Sequence, residues 1–303
     1  MSARELAAGK WRSVLTQLGI DDKVLNKQHH PCPANGAGTD RFRFADRNGS
    51  GNYFCACSEG DKGGMSLLMC CKGITYAEAA KQVESIVGKC EKDKEQTPRD
   101  PRAALNRVRK SLGPAGETVQ GYLASRGVRP TAAIKESRQP YWHGGERLGE
   151  YDCMVGLIQS PDGKPQSYHL TYLSGPAKAG VPAPRKMMTP VETVTGGAVR
   201  LFVAAEEMGI AEGIETALSA HKLFKVPTWA ALTAGGMESF VPPPECKHLT
   251  IFADNDESYT GHAAAYALAK RLTAKGIECL VMIPERIGDW NDVLTSNVLP
   301  QKQ

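Results

Sequence analysis

The chain has 303 residues, 41% hydrophobic and 23% charged, with a formal net charge of +4. That composition excludes a chain disordered throughout and is enough to bury two cores of ordinary size. No apolar run approaches the ~20 residues that a membrane span needs, and the first 20 residues lack a signal-peptide hydrophobic region, so a cytoplasmic protein with no membrane partner is expected.

Apolar residues at helical spacing (Leu6, Trp11, Val14, Leu15, Leu18) predict an amphipathic helix over residues 4–19. From 27 to 64 Gly, Asn, Asp and Cys abound, and two short strand-like runs, 41–44 and 52–54, stand among turn signals such as Asn48-Gly49. This stretch is too small and polar to build a core alone, so a structural metal is expected to supply what burial cannot. Helices follow at 65–71 and 75–87, the second opened by Thr75 with Glu78 three residues on. Residues 88–102 are charged, proline-bearing and nearly free of apolar side chains. A linker is therefore placed at 91–102, after a first domain at 1–90.

Residues 103–140 read as short helices, including one at 119–126 ended by Gly127. A strand pair is predicted at 154–159 and 166–172, joined by the turn Pro161-Asp162-Gly163-Lys164. From 197 onward strands (201–204, 208–211, 228–232, 248–253, 278–282) alternate with helices (215–223, 262–275). Such alternation predicts a largely parallel, helix-covered sheet over 196–303, after an α+β region at 103–195.

Charge and cysteine are both uneven. Residues 1–110 carry 19 Lys and Arg against 13 Asp and Glu, whereas residues 111–303 carry 18 against 20. A basic front points to a polyanion partner there. Of nine cysteines, Cys32, Cys55, Cys57, Cys70, Cys71 and Cys90 lie in the first 90 residues. That pattern favours metal binding over a disulfide framework. His29-x-x-Cys32 and Cys55-x-Cys57 form two tight pairs suited to tetrahedral Zn²⁺, with His30 an alternative to His29 and Cys70 or Cys71 an alternative to Cys57. Between the pairs, Arg41-Phe42-Arg43-Phe44 alternates, so one strand face presents guanidinium groups for phosphate contact and base stacking.

Three acidic sites stand at strand ends in the second half: Glu212 before a glycine and a helix, Asp254-Asn255-Asp256 directly after a strand, and Asp289-Trp290-Asn291-Asp292. In an open parallel sheet the carboxyl ends of strands share one edge, where ligands bind. Carboxylates gathered there call for a hard divalent cation, Mg²⁺ or Mn²⁺, with substrate phosphates completing its shell, which is the chemistry of phosphoryl or nucleotidyl transfer.

These residues carry a family resemblance. Glu212-Gly213-Ile214-Glu215-Thr216-Ala217-Leu218, then Asp254-Asn255-Asp256 with Gly261-His262-Ala263-Ala264, then Asp289-Trp290-Asn291-Asp292-Val293-Leu294, resemble a Toprim domain of the kind found in phage and plasmid primases and primase–helicases. His29-His30-Pro31-Cys32-Pro33, Asp40-Arg41-Phe42-Arg43-Phe44 and Tyr53-Phe54-Cys55 resemble the zinc-binding domain of the same proteins, and Tyr122-Leu123-Ala124-Ser125-Arg126-Gly127 is similar to a motif of their basal region. The resemblance implies an α/β protein with a small zinc-ribbon-like β domain, an α+β basal region and a Toprim parallel-sheet domain. It implies a DNA primase making short RNA primers from NTPs on a single-stranded DNA template, with Zn²⁺ structural and Mg²⁺ or Mn²⁺ catalytic.

Carried over by position, the resemblance implies that Glu212 is the Toprim glutamate, either proton-transfer group or metal ligand, that Asp254 and Asp256 are the metal-binding pair, and that Asp289, with Asp292 second to it, completes the metal site. Asn35 replaces the second cysteine of the first zinc pair, which leaves His29 as fourth ligand beside Cys32, Cys55 and Cys57. Thr216 stands where many Toprim proteins carry an acid; either Glu215 substitutes or that acid is dispensable. Arg126, Arg185, Lys186 and Arg200 are candidates for holding phosphates, with Arg185-Lys186 preferred. No Gly-x-x-x-x-Gly-Lys-Ser/Thr motif occurs, so a replicative helicase is expected as a separate chain. A Toprim nuclease and a non-catalytic single-strand-binding or helicase-loading module are the alternatives.

Overall fold

The computed structural model describes residues 2–46, 49–55, 63–91, 100–143 and 146–296. These fall into two compact units, one before and one after residues 92–99.

In the first unit, helices Ala3–Leu6 (α1) and Trp11–Gln17 (α2) replace the single helix expected over 4–19. Gly9 breaks the pattern between them by taking a left-handed φ of +71°. Strands Phe42–Phe44 (β1) and Tyr53–Cys55 (β2) pair antiparallel, with Arg43 opposite Phe54. Their alternation turns Phe42, Phe44 and Tyr53 inward and leaves Phe54 exposed. Helices Gly64–Lys72 (α3) and Tyr76–Ile86 (α4) follow, and the expected capping box forms, the Thr75 N–H donating to the Glu78 carboxylate at 2.8 Å. Helices and hairpin share one core of Trp11, Leu15, Phe42, Tyr53, Leu68 and Val83. The hairpin therefore borrows its core from flanking helices, a source of stability that its own composition does not offer.

In the second unit, helix Pro101–Ser111 (α5) is capped by Asp100, so the final two residues of the stretch read as linker are helical. Strand Gly113–Pro114 (β3) and helix Glu117–Ser125 (α6) precede two long strands, Ile134–His143 (β4) and Glu146–Gln159 (β5). The reading of 103–140 as helices fails at β4. That strand has no clean alternation of its own and is set by antiparallel pairing with β5 along its whole length. Strands Pro165–Ser174 (β6), Ala177–Lys178 (β7), Arg185–Met187 (β8) and Ala198–Val199 (β9) complete this half. The strand expected at 201–204 is absent and β9 lies just upstream, where it pairs antiparallel with β5 on one side.

The alternation after 197 then holds: strand Glu207–Ala211 (β10), helix Ile214–Phe224 (α7), strand Thr228–Ala230 (β11), helix Ala234–Ser239 (α8), strand His248–Phe252 (β12), helix Thr260–Thr273 (α9), strand Glu278–Met282 (β13) and helix Trp290–Thr295 (α10). β13, β12, β10 and β11 are parallel. β9 joins β11 to β5, so the parallel set and the antiparallel meander make one 11-stranded sheet rather than two. Residues of α8 and α9 bury one face of the parallel set, and residues of α6, α7 and α10 bury the other. Among the described residues no helix is long and apolar enough to cross a membrane.

Gly64 lies against Trp11, where a Cβ would stand 2.2 Å from the indole ring. Gly64→Ala is expected to destabilise the first unit by about 1–3 kcal/mol through overpacking, seen in chemical denaturation as an earlier transition for that unit while the second unit's transition stays in place.

Candidate active site

Two strand ends and one backbone bridge gather the acids. β10 and β12 are adjacent and in parallel register, Ala211 opposite Phe252, so the chain leaves both strands at one edge. Glu212 follows β10 immediately, and Asp254 follows β12 by two residues. Asn255 and Gly288 then exchange N–H···O bonds, each 2.9 Å, which carries the Asp289 loop to the same edge. The Asn255 side chain donates to the Pro284 carbonyl at 2.8 Å and pins that loop again. Leu232 bonds the Glu212 carbonyl at 2.7 Å from a left-handed conformation (φ +72°), so the backbone at Glu212 is held by a strained neighbour.

The charges register this crowding. Burial, then Glu212, Asp289 and Asp256, push Asp254 up to about 7, against the pull of Arg185. Burial also raises Glu212, with Arg185 opposing and Asp256 adding to the rise. Among the described residues the Oδ1 atom of Asp254 is buried with no hydrogen-bond partner. A buried carboxylate oxygen without a donor, surrounded by like charges, fits the hard divalent ion that the sequence implies. Asp256 differs: the Ser258 hydroxyl and the Gly261 N–H (2.9 Å), with Thr260, hold it down at about 2. It anchors the start of α9 and lends its charge to the rim.

Asp289 caps α10. Its Oδ1 accepts from the N–H groups of Asn291 (2.7 Å) and Asp292 (2.9 Å), and its Oδ2 accepts from the Thr216 hydroxyl at 3.5 Å. Asp292 closes the capping box on the Asp289 N–H at 3.1 Å, which gives it a local structural task. Glu215, the candidate substitute for the missing acid, is engaged elsewhere. It turns to Tyr122 and Lys178, and the hydroxyl of Thr216 takes the place facing Asp289.

The cationic candidates separate. Arg185 on β8 lies near enough to the rim for its charge to act on Glu212, Asp254 and Glu215. Its neighbour Lys186 points to the opposite side of the strand, where the ammonium lies 3.9 Å from the Tyr141 ring centroid and donates to the Trp142 carbonyl. Arg200 is occupied too, bonding the carbonyls of Ser160 and Pro161 at 2.9 Å each. Arg126 ends α6, and the turn after it is fixed by Asn291 on the Arg126 carbonyl (2.6 Å) and Lys222 on the Gly127 carbonyl (2.7 Å). Sequence reasoning passes over Lys178 and His169. His169 is buried and held down at about 4 by desolvation, against the charge of Glu215. The alternation Ser167, His169, Thr171 on β6 is its only sequence signal.

In the first unit Cys32 and Cys55 are buried. Burial first, and then Cys70, Cys32 and Cys55, push the Cys71 thiol up to about 12, so α3 brings its cysteines toward that pair. His29 is exposed with Nδ1 at 2.9 Å from the Asp40 carbonyl, and His30 meets the Asn26 side chain with Nε2 at 3.0 Å. Cys57 lies outside the described residues. Among the described residues no three His, Cys, Asp or Glu side chains stand close enough to cage an ion together. Two buried thiols still suit zinc by donor type. Arg43 stacks over the exposed Phe54 at 4.9 Å, while Arg41 is exposed and folds its stem beside Gly38.

Comparison with known proteins agrees with the sequence motifs. Residues 207–298 match the Toprim domain, residues 27–63 match the zinc-binding domain of primase-helicase, and residues 98–201 match a domain of unknown function. A zinc-binding domain followed by a Toprim domain is the arrangement of a phage-type DNA primase. Among solved structures the chain is similar to the Aquifex aeolicus primase (zinc-binding and RNA polymerase domains), at 17% identity, 98% of this chain, 83% of that chain and a TM-score of 0.45. It is also similar to the primase fragment of the bacteriophage T7 primase-helicase protein, at 16% identity, 89% of this chain, 95% of that chain and a TM-score of 0.40.

Because Asp254 titrates near 7 when folded and near 3.8 when unfolded, the folded state holds its proton more tightly between those values. Its contribution to stability therefore falls as pH rises through that window. In buffer free of divalent ions, Asp254→Asn is expected to raise the thermal midpoint at pH 8, with the difference from the parent chain closing as the pH approaches 4. A pH-independent difference would contradict the burial and repulsion described.

Proposed function

We propose that this chain is a DNA primase that joins ribonucleoside triphosphates into short RNA on single-stranded DNA. The observation that carries the reading is the convergence of Glu212, Asp254, Asp256 and Asp289 on one sheet edge opposite Arg185, in a chain with a primase-type zinc-binding domain.

In this reading Glu212, Asp254 and Asp289, which gather at one rim without by themselves closing a cage, would hold Mg²⁺ or Mn²⁺ together with oxygens of the substrate phosphates, and Asp256 keeps the rim anionic because its own hydrogen bonds hold it ionised. When bound, the ion neutralises triphosphate charge and favours ionisation of the attacking hydroxyl. Glu212, with its raised proton affinity, takes up the proton of the 3′-hydroxyl. The 3′-oxygen forms a bond to the α-phosphorus of the next nucleotide as the α–β P–O bond breaks, and pyrophosphate leaves. Arg185 faces that departing charge. Arg126, at the turn clamped by Asn291 and Lys222, is the second cation assigned to phosphate. Lys186, engaged with Tyr141 and Trp142, is not.

In the first unit, the Arg43–Phe54 pair gives a stacking surface for a template base, with Arg41 for the adjacent phosphate. Cys32 and Cys55 with Cys57 make the zinc site, and the fourth ligand falls to His29 or to a cysteine of α3.

Asp254→Ala is expected to reduce incorporation of labelled NTPs on a single-stranded template about a hundredfold or more, with single-strand affinity in a shift assay little changed. Full incorporation would remove Asp254 from the site, and cleavage of the DNA without NTPs would favour the nuclease alternative. Cys32→Ser should lower bound zinc, read by metal analysis, and template-dependent initiation together; undiminished zinc would exclude Cys32 as a ligand.

A further inference from the structure

We propose that Glu215 is a positioning residue: its buried charge fixes Lys178, and with it the cationic wall that includes Arg185, opposite the acidic rim, so that the wall is set before a triphosphate arrives. This rests on reading the site as a nucleotide site. The geometry begins with β6. β5 takes one edge of that strand, so β7 and β8 share the other, with Lys178 opposite Leu173 and Arg185 opposite Thr171. Cross-strand partners share a face, so the two cations lie on one face about 7 Å apart along the strand.

Glu215 comes to that face from the first turn of α7, three residues after Glu212. Its side chain is 6% exposed, its Oε1 lies 3.5 Å from the Lys178 Nζ, and the same oxygen accepts the Tyr122 hydroxyl at 2.6 Å. Burial raises its proton affinity, but Lys178, Tyr122 and Arg185 outweigh burial and keep it ionised. A second tie, from the Ser125 hydroxyl to the Pro176 carbonyl at 2.9 Å, sets the turn that carries Lys178 against α6.

Shape alone does not require this arrangement. A buried carboxylate carries a desolvation penalty of several kcal/mol, and an apolar side chain of similar size often stabilises a helix junction as well or better. A charge at this place has a use if Lys178 must be held still. An ammonium on four rotatable bonds is a poor phosphate ligand until it is oriented. Lys178 is about one-third exposed, so its free side can meet a substrate while the carboxylate holds the other.

The test measures primer synthesis against NTP concentration, and thermal unfolding, for the parent chain, Glu215→Gln, Lys178→Met, the double variant and Tyr122→Phe. Glu215→Gln and Lys178→Met should each raise the KM for NTP about tenfold with kcat within about threefold, and the double variant should be no worse than the singles. Tyr122→Phe, which leaves both members of the Glu215–Lys178 pair in place, should lose stability but keep the parent KM. If Glu215→Gln lowers the unfolding midpoint and leaves KM unchanged, Glu215 is only a structural clamp and the inference is overturned. Lys178→Met, at a partly exposed position, decides the matter if Glu215→Gln does not fold: an unchanged KM there overturns it equally. A parent chain that makes no primer overturns the proposed function, and this inference with it, before any variant is compared.

Discussion

Carboxylates that repel one another are held together here chiefly by backbone. β10 and β12 end side by side, and one pair of N–H···O bonds between Asn255 and Gly288 brings a third segment to the same place. None of these constraints depends on the side chains they position, so the repulsion cannot relax by moving the groups apart. Burial and this repulsion together raise the proton affinity of Asp254, whose Oδ1 has no donor among the described residues. The parallel sheet, with cores on both faces, supplies the rigidity that makes this possible.

The opposing charges come from a different kind of structure. Arg185 and Lys178 stand on short strands that pair with β6 in the antiparallel meander, whereas the acids stand on loops of the parallel set. Because β9 bonds both β5 and β11, the two halves form one sheet, and the distance between acid and base is set by strand register rather than by a hinge. Glu215 and Asn291 reinforce the joint from the helices, one through Tyr122 and Lys178, the other through the Arg126 carbonyl and Ser219.

The first unit follows another logic. Its hairpin has two three-residue strands, and its inward residues pack on Trp11 of α2 and Leu68 of α3 rather than on a sheet of their own. That leaves the outer face of the hairpin free of packing duties, so a guanidinium and an aromatic ring can stack there exposed. Metal ligation adds to a core that exists, where the composition of residues 27–64 alone led one to expect that it must replace one.

Much of the second unit could be read from the chain. Strand–helix alternation after 197 gave the parallel sheet, and the acids at Glu212, Asp254 and Asp289 were visible because a charged residue at the end of an apolar run can only emerge at its rim. Periodicity did not find β4 or β9, whose conformation comes from partners far away in sequence, and it could not tell Arg185 from Lys186, which differ only in the strand face they occupy. Nor could it foresee that Glu215 would turn toward Tyr122 and Lys178 and leave Thr216 to meet Asp289. The sequence by itself determined which residue types stood at strand ends, since that is a local property of pattern. Tertiary structure alone decided which of them share a face and a neighbour, because register and packing are fixed by contacts between segments that no local window contains.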